Sequence, residues 1–377
     1  MIEAETVAVG SGMKVTCSRD ELVQKLGVVS RAVSTRTTVL VLGGILLRAE
    51  NGELQLAATD MELSLRTSLE AQVDGEGAIV VPGRMLADLV RLLPDDDVQI
   101  EHRPEEGVVR VESGAYSSRL HTYNVEDFPR LPDVDTIGTF AVDKEALLDT
   151  VARVSRSASR DESRPVLTGI LARFEAGKLV MAATDSYRLS VKETAFEGGA
   201  PDLEAIIPAR ALGEVLRIAH TADSLELGVH ENQVVFVADG ITLTTRRIEG
   251  QFPNYRQLIP ETFEHTVHVA RSEILEVVRR VAVMAQRNSP LRLRFAEGEL
   301  TVSAQTQDVG EARETMPIGF TGEALEIGFN ADYLREGLES VTSDDVQVKL
   351  ISPLRPAVIH GDEQDFTYLV MPIRLPS

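Results

Sequence analysis

The chain repeats itself three times, and few folds survive that constraint. Residues 42–60, LGGILLRAENGELQLAATD, and residues 167–185, LTGILARFEAGKLVMAATD, agree at twelve of nineteen positions with a constant offset of 125. A fainter third copy begins near Leu291, where RFAEGELTVSAQT keeps Arg294, Phe295, Gly298, Leu300 and Ala304 against Arg173, Phe174, Gly177, Leu179 and Ala183. The flanks repeat as well. Pro82 opens PGRMLADLVRLL, Pro208 opens PARALGEVLRIA and Asn330 opens NADYLREGLESV, while Phe128-Pro129 and Phe252-Pro253 close the first two copies. The 377 residues therefore divide into 13–135, 136–262 and 263–377, units of about 120 residues and so domains rather than solenoid repeats. Residues 1–12 precede the first copy, carry no pattern and are expected to form a disordered extension.

Each unit has the same coarse order. An amphipathic helix comes first, as in Asp20–Val33, where Leu22, Leu26, Val29 and Val33 make one apolar face. Two strands follow around a Gly turn, as in Gly43–Ala49 and Glu53–Thr59 joined at Asn51-Gly52. A second helix follows the Pro or Asn signal. Alternating strands such as Val108–Glu112 and Ser117–Tyr123 close the unit. Two helices and several strands without strict βαβ alternation predict an α+β fold.

Net charge is −21, from 38 Lys and Arg against 59 Asp and Glu, which argues against a protein that holds nucleic acid by dense phosphate contacts. The charge is uneven, however. The six expected helices, 18–34, 83–93, 143–160, 209–220, 271–287 and 331–342, together carry +4, leaving −25 on the remainder. Amphipathic helices often place Lys and Arg on a solvated face, but three similar units would gather such faces on one surface. Arg36 and Arg160 lie just beyond the first helices of units one and two, with Arg287 in a comparable place in unit three. Such an arginine can serve as a helix C-terminal charge partner or as a phosphate contact.

Catalytic chemistry is hard to find. No Walker loop, G-x-S-x-G elbow, HExxH or EF-hand pattern occurs. Cys17 is the lone cysteine, which excludes an intrachain disulfide and a cysteine-built zinc site. His265 and His268, three apart in a β segment, do not match helical ligand spacing. Thr59-Asp60 and Thr184-Asp185 repeat and could supply paired carboxylates, but each ends a strand at a turn and the third copy reads Gln305-Thr306, so a structural Asx role is favoured. The reading is a non-enzyme with no catalytic residues, no metal and no cofactor. No run approaches the length of a membrane span and no signal pattern opens the chain, so a soluble, cytoplasmic protein without membrane partners is expected.

The segments AATDSYRLSV (182–191), QFPNYRQLIP (251–260), GFNADYL (328–334) and YLVMPIRL (368–375), in this order within a triplicated chain, resemble the bacterial DNA polymerase III beta subunit family, the replicative sliding clamps. The likeness runs from Met13 to Leu375. It implies three clamp domains per chain and a head-to-tail homodimer forming a six-domain ring, helices lining the hole around double-stranded DNA and sheets outside. It also implies a hydrophobic peptide-binding pocket that tethers the polymerase III alpha subunit, the clamp loader and other clamp-binding-motif proteins. Onto that pocket fall Leu167, Thr184, Tyr187, Arg188, Leu189, Pro253 and Leu258 from unit two, and Asn330, Tyr333, Val370, Met371, Pro372, Ile373 and Arg374 from unit three. Aliphatic, Met and Pro side chains with an arginine at the rim suit capture of a short apolar peptide. Departures from the family pattern stand at Gln257, where a basic residue is common, at Ser186, where glycine is frequent, and at Asp161, beside Arg160. The resemblance assigns DNA contact to Arg36 and Arg160, and the dimer interface to Leu120, Val283 and Met284. Two rival readings are a peptide-binding scaffold that never encircles DNA and a hydrolase using Asp60 and Asp185.

Overall fold

A computed structural model describes residues 12–35, 37–132, 138–175, 177–196, 203–230, 232–285, 289–307 and 309–375. The chain forms two compact units that do not follow the repeats. Met1–Val142 with Arg217–Arg246 makes the first, and Asp143–Leu216 with Arg247–Ser377 the second, so the middle repeat is shared between them. The expected disordered extension, 1–12, lies outside the described residues except for Gly12.

The first unit holds two sheets. One has five strands in the order Gln72–Gly75, Lys14–Ser18, Asp97–Arg103, Val108–Ser113 and Tyr116–His121. The other has eight, in the order Thr139–Ala141, Glu226–His230, Gln233–Ala238, Ile241–Arg246, Leu63–Glu70, Glu53–Thr59, Gly44–Glu50 and Gly77–Pro82. Repeats one and two join within it where Thr242 pairs Arg66 and Thr245 pairs Leu63. The second unit mirrors this plan. Its eight-stranded sheet joins repeats two and three between Arg188–Ala195 and Phe366–Val370, with Arg188 opposite Val370. Its four-stranded sheet runs Gly310–Pro317, Glu299–Thr306, Leu291–Ala296 and Leu325–Phe329. Pairing is antiparallel throughout the described strands, which suits the short hairpin connections read in the sequence.

The helices bury the faces their periodicity predicts but are shorter than expected: 18–34, 143–160 and 271–287 are α-helical only over Arg19–Val29, Lys144–Val154 and Arg271–Ala282, and Val33 is already extended. Arg19–Val29 buries Leu22, Leu26 and Val29, then tightens into a 3-10 turn over Ser30–Ala32. Arg271–Ala282 buries Ile274, Leu275, Val278 and Val281 in the core built around Phe295, Phe329 and Leu338. Burial pushes the Cys17 thiol up to about 12, with the charges of Glu21 and Asp97 adding to it, so this cysteine is a small core residue. No described helix is long and apolar enough to cross a membrane.

The repeated aspartates are turn formers. Asp60 Oδ1 accepts from the backbone N–H groups of Glu62 and Leu63 at 3.1 and 2.9 Å, and Asp185 Oδ1 accepts from Tyr187 and Arg188 at 2.9 and 3.0 Å. The same turn explains the departure at Ser186. Its φ is +80°, as is that of Met61 in the first copy, and only glycine occupies that region without steric cost.

Candidate peptide-binding site

The repeat junction in the second unit presents four exposed apolar side chains, Tyr187, Leu258, Met371 and Ile373. Asp185 shapes the turn that presents Tyr187, which is 60% exposed, and Met371 N–H donates to the Tyr187 carbonyl at 2.8 Å just beyond the last pair of the sheet. Ile373 continues the C-terminal segment, its N–H donating to the Gly328 carbonyl at 2.7 Å. Met371 and Ile373 keep their side chains in solvent while their backbones are held, which suits a surface that binds through side chains. Beneath them Leu189 and Val370 are fully buried, and Leu189 packs in a cluster with Leu171, Val180, Phe252, Tyr255 and Leu369. Pro253 and Leu258 flank the Tyr255 turn at the edge of this cluster, both exposed. Leu167 is buried on the one-turn helix Pro165–Thr168, whose neighbour Val166 lies against the same cluster.

Arg188 is the rim's fixed cation. It is buried, its Nε donates to Asp185 at 3.0 Å, its Nη1 pairs with Glu336, and its guanidinium stacks 4.3 Å from the centroid of the Tyr333 ring. Two carboxylates and a π face hold the planar group in one orientation. Thr184 is buried and its hydroxyl donates to the Arg188 carbonyl at 2.6 Å, so it supports the turn rather than facing solvent. Asn330 caps the helix Ala331–Ser340 by accepting from Tyr333 N–H at 3.1 Å, which sets the orientation of Tyr333. Burial, with the Asp185 charge adding, holds the Tyr333 phenol above its usual range. Pro372 and Arg374 lie on the same exposed C-terminal segment.

Sequence reading did not single out Glu336 or Tyr368. Glu336 stands three residues after Tyr333 and shares its helix face, the one signal that could have found it. Tyr368 is fully buried and its hydroxyl donates to the Tyr333 carbonyl at 2.7 Å. The helix can approach that ring because residue 337 is glycine, where an added Cβ would lie 2.3 Å from Tyr368. Gly337→Ala should therefore cost about 1–3 kcal/mol, read as a lowered urea midpoint, and should weaken peptide binding by displacing Tyr333.

Several arginines of the basic helices are already paired with carboxylates. Arg156 and Arg279 both donate to Glu339 at 2.8 Å, and Arg280 pairs with Glu276 and Glu314. Burial of Glu339 opposes ionisation, yet the two arginines outweigh it and hold its pKa below the usual carboxylate range. Arg160 is exposed, and the neighbouring Asp161, also exposed, is bound locally to Ser163 and Arg164. Arg36 and Arg287 lie outside the described residues. Of the three residues assigned to a dimer interface, Val283 is 76% exposed, Met284 is half-buried against the repeat-three core, and Leu120 is buried within its own unit. Among the described residues no group of three or more His, Cys, Asp or Glu side chains could hold a metal.

Three family models cover the chain in order. The N-terminal domain of the DNA polymerase III beta subunit matches 13–132, the central domain 141–254 and the C-terminal domain 256–374. This chain belongs to the DNA polymerase III beta subunit family. Relatives include beta sliding clamps from Streptomyces coelicolor, 34% identical over 96% of this chain and 100% of its own length, and from Synechococcus elongatus, 37% identical over 97% and 100%. Among solved structures, a Caulobacter crescentus (C. crescentus) beta sliding clamp with polyethylene glycol bound to a putative beta-motif tethering region superposes with a TM-score of 0.92. It is 28% identical, over 97% of this chain and 99% of that one. A Pseudomonas aeruginosa sliding clamp bound to griselimycin gives 0.88 at 27% identity, over 97% and 100%. As a sliding clamp the chain is a non-catalytic processivity factor of DNA replication with the α+β, three-domain clamp fold.

Proposed function

We propose that two copies close head to tail into a six-domain ring around duplex DNA in the cytoplasm, and that the site around Tyr187, Tyr333 and Met371 tethers the polymerase alpha subunit, the loader and other motif-bearing proteins. The observation that carries the ring is the equivalence of the two seams within the chain. Leu63 and Arg188 are repeat equivalents, as are Thr245 and Val370, and Leu63 pairs with Thr245 across one seam as Arg188 pairs with Val370 across the other. One equivalent seam is left over. Its two strands are Tyr116–His121, at one end of the five-stranded sheet, and Gly310–Pro317, at one end of the four-stranded sheet. Between two copies the same register sets Leu120 opposite Gly310 and Arg119 opposite Glu311, placing opposite charges face to face. A closed ring leaves neither edge exposed to promiscuous pairing.

Light scattering should give a mass about twice 41.2 kDa. Arg119→Glu should raise the dimer dissociation constant by about tenfold, because it sets like charges opposite each other at both seams, and adding Glu311→Arg should restore it. A monomer at micromolar concentration would favour the non-encircling scaffold instead. The tethering reading is supported by the exposed apolar side chains on a hydrogen-bonded backbone and by the fixed Arg188 beside them.

A further inference from the structure

The first unit carries a second groove, at the place where the second unit has covered its sheet with its own side chains. Its volume is about 730 Å³, and its floor is the outer face of the strands Gly44–Glu50, Glu53–Thr59 and Leu63–Glu70. The segment Val125–Leu131 walls it, with Phe128 and Pro129 supplying apolar surface. A smaller concavity sharing Arg66 and Leu131 continues it to Thr242 and Thr244 on the adjoining strand.

The internal repeat shows what changed. In repeat two, Arg173 lies directly across from Glu204 and donates to it at 2.7 Å. In repeat one the equivalent arginine, Arg48, lies across from Ala78. Val180 and Val191, both buried in repeat two, correspond to Gln55 and Arg66. Arg66 Nη2 donates to the Pro132 carbonyl at 3.3 Å, tying the wall to the floor. Arg130 lines the wall, and among the described residues Glu126 is the one acidic side chain lining the groove. Among the described lining residues, Arg48 and Arg130, beside the engaged Arg66, thus face a shared cavity with one glutamate, in a chain of net charge −21. Arg48 and Arg130 have no carboxylate partner among the described residues.

We propose that this groove is a second peptide seat, selective for a short extended segment of a partner protein that carries carboxylates beside an apolar side chain. An arginine cluster next to Phe128 and Pro129 matches that chemistry, since guanidinium groups pair with carboxylates while the apolar wall takes the side chain between them. The elongated floor across four antiparallel strands fits an extended backbone. Surrounding negative charge repels acidic segments elsewhere on the chain, so the local reversal supplies specificity.

The test uses full-length protein and a fluorescein-labelled peptide of sequence Glu-Asp-Leu-Phe-Glu-Asp, followed by anisotropy. Binding is expected, weakening as salt rises, and the peptide with Gln and Asn in place of the acids should bind at least about tenfold more weakly. The double substitution Arg48→Glu, Arg130→Glu should abolish that preference while leaving the urea transition unchanged, and a chain lacking 371–377 should retain it. The proposal is overturned by absence of binding, by equal binding of the amide peptide, or by unchanged affinity in a folded double variant. It is also overturned if a single-stranded oligonucleotide binds there more tightly than the peptide, which would make the groove a phosphate site.

Discussion

Protein loaded by an ATP-driven loader onto nicked circular DNA is expected to remain bound through high-salt washing, and to be lost once the circle is cut to leave free ends. The physical reason is that retention in a closed ring is topological, so the contact free energy with phosphate can be small. Each Lys or Arg that neutralises a phosphate adds salt-sensitive affinity, and this chain limits those contacts twice. Its net charge is −21, and Arg156, Arg279 and Arg280 on the helices are already paired with Glu339, Glu276 and Glu314. Binding to linear duplex without the loader should therefore be no tighter than the roughly 10⁻⁴–10⁻⁶ M of ordinary non-specific binding. Gel filtration of radiolabelled protein with circular and with cut DNA measures this directly. Equal retention on both, with unblocked ends, would refute encirclement.

Removal of 371–377 is expected to eliminate binding of a fluorescent peptide carrying the polymerase alpha subunit's clamp-binding segment, raising its dissociation constant by at least about thirtyfold, or roughly 2 kcal/mol. The cut begins at Met371 because Val370 is a strand residue paired with both Arg188 and Ala357, so the sheet survives the truncation. What is lost is the pair of exposed side chains Met371 and Ile373 on their anchored backbone. The seam strands Tyr116–His121 and Gly310–Pro317 are untouched, so light scattering should still report a dimer. Unchanged peptide affinity in a folded, truncated chain would remove the site from this surface.

Much of the local structure was legible from the residues. The triplication, the helix faces and the Asx turns at Asp60 and Asp185 follow from spacing and from which side chains can satisfy a nearby backbone, and these are short-range properties. The preference for glycine at position 186 acquires its reason from φ, which spacing alone does not reveal. Pairings between distant segments were not legible in the same way. That Arg188 stacks on Tyr333 and pairs with Glu336 requires residues about 150 apart to meet across a seam, and no periodicity encodes such a meeting. Charge summed over helices counted Glu339 but could not show that it pairs with Arg156 and Arg279 from two other segments. The middle repeat, continuous in the sequence, is divided between two compact units because antiparallel strands pair with whichever edge lies beside them. By itself the sequence determined three copies of one α+β domain and the residue types at the proposed peptide site. Only the tertiary structure decided which edges join and which arginines remain available, because those outcomes depend on burial and on partners distant along the chain.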